Sequence, residues 1–310
     1  MTSSQPVAQS FVPRAQGVGF LLLGIQNALS KQILMRVPEP QSVMADPSQV
    51  ADYQFACETW MSLYYALTWE ALYCAGVAPH GTALDLACGS GWFSRGLAHY
   101  LGQQVVGVDL AEPMLTVARK AARDVSCEHQ LQFLAGDATK LAHIPGLPQT
   151  FDLTCMTLAA HHLDSMANLS ATVQAMHART APDGIVCIMD LVRPRTQALT
   201  ERFLALTTPD YARAGKTSLV DDTRHSMYAA WSPEEFAAAL PKTPGRRFWQ
   251  IVSPGVPLVQ LLVGVPETRT KLFVRTGMPW TDALHPVPRA FRRQWRMLRW
   301  ATLGRQRLLC

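Results

Sequence analysis

The 310-residue sequence predicts a doubly wound α/β fold, a parallel sheet with helices on both faces, preceded by a helical lid and followed by additions. Three observations predict it. Short apolar runs alternate with helical patterns from residue 81 to 191, the first run opens into a glycine turn, and acids stand at the ends of the first three runs. Parallel neighbours need helical crossovers, so this alternation implies a parallel sheet.

The first dozen residues are polar and expected to be loose. Val18–Ile25 is apolar behind Arg14, in the manner of a signal-peptide core, but Gln26, Asn27 and Lys31 follow at once, which favours a helix packed on the body. Helical patterning runs to about Met35. Arg36-Val37-Pro38-Glu39-Pro40 then forces an extended turn, because each proline fixes its own φ and restrains its predecessor. One helix is expected over Pro47–Cys74, with Trp60, Leu63, Tyr64, Leu67 and Ala71 on one face. That stripe reads either as core or as a lid whose aromatics line a pocket.

From Gly81 the expected order is strand Thr82–Ala87, helix Trp92–Tyr100, strand Gln104–Val108, helix Pro113–Asp124 and strand Leu131–Ala135. Strand Phe151–Met156, helix Met166–Thr180, strand Ile185–Leu191 and helix Gln197–Leu206 follow. Ser232-Pro233-Glu234-Glu235 is a helix start, with Ser232 as N-cap, proline at the first helical position and Glu235 completing a capping box. Phe248–Val252 and Val256–Val265, joined by Ser253-Pro254-Gly255, read as two closing strands. A last helix is expected from Pro288 to Arg307, with Phe291, Trp295, Leu298 and Thr302 on one side and arginines on the rest.

Composition supports a large core: 48% of residues are apolar and 16% charged, which excludes wholesale disorder. The net charge of +5 is uneven, because residues 267–310 hold ten basic and two acidic residues. The seven cysteines form no C-x-x-C pair, so neither a disulfide framework nor a zinc site is expected, and free thiols suit a reducing, cytoplasmic setting. No apolar run approaches the ~18–20 residues that span a bilayer.

The chemistry centres on Leu84-Asp85-Leu86-Ala87-Cys88-Gly89-Ser90-Gly91. Glycines at a strand-to-helix turn let the backbone approach a ligand, and the helix N-terminus offers free N–H groups. Such turns serve several nucleotide cofactors, so the neighbours decide. Asp109 ends the second strand, eighteen positions after Gly91, where a carboxylate can accept both hydroxyls of a ribose. Gly136-Asp137-Ala138 follows the third strand, where an acid can accept the amino protons of an adenine. A dinucleotide fits poorly: Ser94 stands at the third glycine position, and Asp85 would repel a pyrophosphate. Three acids at successive strand ends suit S-adenosylmethionine (SAM), which carries an α-ammonium, a sulfonium, a ribose and an adenine.

These residues, together with Phe151-Asp152-Leu153, resemble the four ordered motifs of class I SAM-dependent methyltransferases over residues 80–195. The resemblance implies a Rossmann-like fold, with Ala87, Cys88, Gly89 and Gly91 cradling the methionine moiety and Asp85 facing its amino group. It implies Asp109 on the ribose, Leu110 and Met114 flanking the adenine, Gly136, Asp137 and the Ala138 amide at its edge, and Thr157 and Leu158 bordering the sulfonium. Cys88 departs from the commoner Gly or Pro, and the tail beyond Pro266 is unmatched. Arg36–Pro40, His161-His162-Leu163, Met189–Pro194 and Asp222–Glu235 narrow the resemblance to a bacterial small-molecule subgroup with an N-terminal helical lid. The implied division is a lid over 1–80, a core over 81–266 with a cap at about 196–245, and a basic extension over 267–310.

Methyl transfer leaves S-adenosyl-L-homocysteine (SAH), and it needs a base only if the acceptor must lose a proton. His161 and His162 are the candidates, with Tyr53 as a third, although the doublet reads first as the loop's own packing. Asp164 makes H-H-x-D conceivable for a metal, but one doublet and one acid on a short loop make a poor ligand set, and no metal is assigned. Asp190 and Arg193 read as a pair that fixes the loop, or as substrate contacts. Tyr64, Tyr228 and Trp231 read as core or as pocket walls. The expected partner is a small molecule, with non-methylating SAM chemistry or a SAM-binding regulator as alternatives. A carrier protein or a second copy is conceivable through the lid or the basic tail, and nucleic acid is not expected, since no RNA-reading module accompanies that tail.

Overall fold

The computed structural model describes residues 17–40, 46–241, 245–253, 259–281, 285–303 and 307–308. Its centre is a sheet in the order β3-β2-β1-β4-β5-β7-β6-β8. The strands are β1 Thr82–Leu86, β2 Gln104–Asp109, β3 Leu131–Ala135, β4 Phe151–Thr157, β5 Thr180–Leu191, β6 Arg246–Val252, β7 Val259–Pro266 and β8 Arg307–Leu308. The pairings among β1 to β5 are all parallel, and β7 joins β5 antiparallel with β6 beyond it. The two expected closing strands are thus antiparallel neighbours, while the connection over 254–258 lies outside the described residues.

Order reverses between β1 and β4, and crevices at such switch points outside the carboxyl ends of strands are where α/β sheets bind ligands. Crossover helices α4 Trp92–Leu101, α5 Glu112–Asp124 and α6 Met166–Arg179 cover the sheet. Register sets Asp85 opposite Gly107 and Asp109 opposite Ala135, so the acids of adjacent strands converge at one edge.

Three helices precede the sheet: α1 Gly17–Leu29, α2 Pro47–Glu58 and α3 Trp60–Cys74. The single helix expected over Pro47–Cys74 is broken at Thr59, whose φ and ψ are −116° and −104°. The Thr59 hydroxyl donates to the Phe55 carbonyl at 2.7 Å, a back-bond that bends helices, and nearly every α3 residue is buried. Trp69 of α3 stacks on Phe93 of α4 with centroids 5.6 Å apart, and Gly96 leaves room for its ring. After β5 come α7 Gln197–Arg213, α8 Ser218–Ala229 and α9 Pro233–Ala238, the last with the expected capping box. Helix α7 runs past the expected end at Leu206. Pro209 is tolerated inside it, with the Thr207 and Thr208 hydroxyls bonded back to Phe203 and Leu204 carbonyls. Asp52 ties α2 to α8, accepting from Lys216 at 2.9 Å and Ser218 at 2.7 Å.

The basic tail is part of this body. Helix α10, Arg292–Leu303, buries Trp295, Leu298 and Thr302, with Phe291 just ahead, on the side read from the sequence. Arg299 is not merely solvated: it forks onto fully buried Glu70, with Nε at 2.8 Å from both carboxylate oxygens. Strand β8 then adds to the free edge of β6.

Candidate functional site

The turn after β1 is shaped for close approach. Ala87, Gly89 and Gly91 all have positive φ, at 53°, 53° and 69°. A Cβ on Gly91 would lie 2.8 Å from the Phe133 ring and 3.0 Å from Ala118, so that position admits only glycine. Asp109 braces the turn, one carboxylate oxygen accepting from the Gly89 amide at 2.7 Å and the other from Ala111 at 2.9 Å. Cys88 is buried against Phe133 and Leu115.

The remaining sequence-derived residues gather at this edge unevenly. Asp85 is fully buried, its carboxylate accepting from the Ser94 hydroxyl at 2.5 Å. Burial pushes its pKa up to about 7, opposed by Ser94 and Cys155. Asp137 turns onto Thr139 at 2.7 Å and pairs with Lys140 at 3.2 Å. Gly136 bonds back to the Asp109 carbonyl at 2.9 Å, with Ala138 beyond it. Leu110 is exposed at the tip of β2, whereas Met114 is buried beneath Val50 of α2. Thr157 ends β4 buried, and Leu158 holds a strained φ of 51° at the same rim.

Beyond Leu158 lies a cavity of ≈ 370 Å³ between α2, α3, α7 and α8. Phe20, Trp60, Tyr64, Phe203 and Tyr211 give it apolar walls, so the aromatic stripe serves both core and pocket. Tyr53 joins the two spaces: it lines the cavity, and its hydroxyl would lie 3.3 Å from a Cβ on Gly89. Burial holds the Tyr53 phenol well above its ordinary pKa, which keeps it protonated and unsuited to serve as a base.

The polar end of the cavity holds Glu39, His161, His162, Asp222 and His225. Asp190, fully buried, fixes His161 twice: its carboxylate accepts from the main-chain N–H and lies 2.6 Å from ring Nδ1. A third bond to Asp190, at 2.8 Å, comes from Leu191 N–H. With Nδ1–H on the carboxylate, the Nε2 lone pair faces the cavity, 3.9 Å from Glu39 Oε1. Burial alone would lower the His161 pKa, but the charge and hydrogen bond of Asp190, with Glu39, turn the shift upward. Glu39 is 2.6 Å from His162 Nδ1. Burial raises its pKa, and the hydrogen bond from His162 with the charges of both histidines outweighs this, leaving it at about 2. Its other oxygen, Oε1, is buried without a hydrogen-bond partner.

Two expectations are corrected here. Asp190 pairs with His161 rather than Arg193, which instead binds Glu235 at 2.9 Å and the Leu34 and Ala230 carbonyls. Asp164 turns to Asn168 at 2.7 Å, and Glu39 is the acid that meets the histidines. Glu39, His161 and His162 bring ligand atoms within 4.8 Å of one another and are the described group that could hold a metal ion. Sequence reading passed over Glu39, although the motif Arg36–Pro40 carried it. Arg36 is the staple, donating to the His161, Leu163, Asp164 and Ala229 carbonyls and lying 3.7 Å over the Trp231 ring.

Residues 83–184 match the profile of the family described as methyltransferase domain. Over these residues the chain is similar to methyltransferase domains. A 2-phytyl-1,4-naphtoquinone methyltransferase of Thermosynechococcus vestitus is 34% identical over 126 residues, 40% of this chain and 52% of its own. A dTDP-3-amino-3,6-dideoxy-alpha-D-glucopyranose N,N-dimethyltransferase of Streptomyces fradiae is 33% identical over 43% of this chain and 44% of its own. The chain thus spans about half the length of the curated relatives it matches. In fold it is similar to the plantazolicin methyltransferase BamL, solved with SAH, at TM-score 0.55 and 14% identity over 71% of this chain and 91% of that one. A SAM-dependent methyltransferase from Aquifex aeolicus gives 0.50 and 17% over 71% and 98%.

The crevice at the carboxyl ends of β1 and β2 suits SAM on observations of its own. Ser90 Oγ, in the glycine turn, is buried without a partner. The groups that bond to buried Asp85, Ser94 and Cys155, are neutral, so a ligand ammonium would relieve its raised pKa.

Proposed function

We propose that the protein transfers a methyl group from SAM to a small specialised metabolite with an apolar, planar body and an acidic O–H, N–H or C–H. Gly89 to Gly91, Asp85, Asp109, Met114 and the 136–138 turn would hold the cofactor, which supplies a methyl group already activated on a sulfonium. The aromatic walls then bind the acceptor and exclude water, while Tyr53 and Leu158 occupy the boundary between cofactor crevice and cavity. His161 Nε2 takes the acceptor's proton, Asp190 fixes the tautomer and stabilises the imidazolium, and Glu39 orients the acceptor's polar group.

The observation that carries this reading is the buried Asp190–His161 dyad opening into an aromatic cavity that adjoins the glycine turn. The quinone-directed relative supports a small, largely apolar acceptor. The test is incubation with SAM and a panel of hydroxylated naphthoquinones and aromatic carboxylic acids, with product analysis. Methylated acceptor with equimolar SAH supports it. Methylthioadenosine without a methylated product would overturn it in favour of SAM cyclisation.

A further inference from the structure

Helix α1 is apolar on two sides. Phe20, Leu23 and Gly24 face inward, with Gly19 against Leu206 of α7 and Phe20 reaching the cavity wall. The opposite stripe is Val18, Leu21, Leu22, Ile25 and Leu29, at helical spacing and 73, 57, 45, 47 and 75% exposed. Ile33, Met35 and Val37 continue it along the extended segment, all more than half exposed. Eight of the thirteen large apolar side chains exposed among the described residues therefore lie between positions 18 and 37. Monomeric surfaces scatter such residues singly, and a contiguous run marks an interaction site.

We propose that this stripe docks on an anionic lipid bilayer, laying α1 along the membrane surface. Charge favours that occupant. Residues 17–38 hold no acid, and Lys31 is exposed among them. Arg202 adds a cation on the flank of α1, bonded to Gln26 at 2.6 Å, and Arg195 bonds Asn27 there through its main chain. The nearby acids Glu201 and Glu234 are paired with Arg224 and Arg195. A second copy of the chain is disfavoured, because an isologous contact would bring two such acid-free basic segments together. Chemistry agrees: the stripe on α1 is aliphatic throughout, without the aromatics, methionine and arginine that enrich protein interfaces. No helix among the described residues is long and apolar enough to cross a membrane, so α1 lies on the surface and does not span it.

This docking is independent of the reaction assigned to the cavity. The test is flotation of the full chain with vesicles of phosphatidylcholine alone or mixed with phosphatidylglycerol, together with the double variant Leu21→Gln/Ile25→Gln. Neither residue lines the cavity. The expected result is binding to the mixed vesicles that weakens with salt and falls about tenfold or more in the variant. SAH binding and Tm, measured on the same samples, stay at the parent values and show that fold and cofactor site are intact. Absence of flotation, or flotation that survives the substitutions, would overturn the proposal. So would a concentration-dependent dimer that the substitutions disperse, which would give the face to a second copy.

Discussion

Asp190→Asn isolates the His161 dyad. The substitution preserves volume but replaces one carboxylate oxygen by a donor. Asp190 accepts from His161 N–H at 2.6 Å and Leu191 N–H at 2.8 Å while facing His161 Nδ1 at 2.6 Å. An amide cannot meet all three demands, and where its NH2 group faces Nδ1 the neutral ring carries its proton on Nε2. The lone pair directed at the acceptor is then lost. General-base catalysis is worth roughly 10²–10⁴-fold, about 3–5 kcal/mol of barrier, and that is the expected fall in kcat. The assay is SAH release at saturating SAM and acceptor, with calorimetric SAH binding unchanged. The pH profile supplies a readout that a structural role would not move. In the parent, His161 titrates above its ordinary 6.5, so activity rises with pH through a value above 6.5 as the base form appears. In the variant burial is less opposed, and any residual limb moves to lower pH. A kcat within about tenfold of the parent with an unshifted limb would refute the role given to His161.

Other substitutions test the frame. Gly91→Ala forces a left-handed alanine against Phe133 and Ala118, and is expected to cost about 2–4 kcal/mol and abolish SAH binding, read by urea denaturation and calorimetry. Glu70→Gln leaves the Arg299 fork half-made and should destabilise by roughly 2–3 kcal/mol, less than a fully buried pair because Arg299 reaches solvent. Asp85, raised to about 7 by burial, should lose its proton when a cationic ligand arrives. SAH binding near pH 7 is then accompanied by proton release, and equal apparent enthalpies in phosphate and Tris would contradict it. Glu39, depressed to about 2, contributes stability that is present above pH 4.5 and lost as pH falls through about 2. Glu39→Gln should flatten that acid limb of a Tm titration.

The sheet was legible because its signals are local. Glycine turns, strand-end acids and the Ser232 capping box are written within twenty residues of where they act. What escaped depends on contacts across the chain. Glu39 meets His161 and His162 only because Arg36 is clamped by carbonyls 125–193 positions away, and no spacing rule reports that. Asp190 was visible as an acid near an arginine, but backbone geometry aims it at the His161 N–H. The break at Thr59 and the passage of α7 through Pro209 are cases of tertiary packing overriding local propensity. Strand β8 is two residues long and exists through its pairing with β6.

A crystal structure with SAH bound tests the central claim most directly. The account predicts SAH against the Gly89–Gly91 turn with Asp109 on its ribose, its sulfur directed past Leu158 into the cavity that His161 Nε2 faces. SAH bound elsewhere, or lying in the crevice with its sulfur turned away from that cavity, would contradict it.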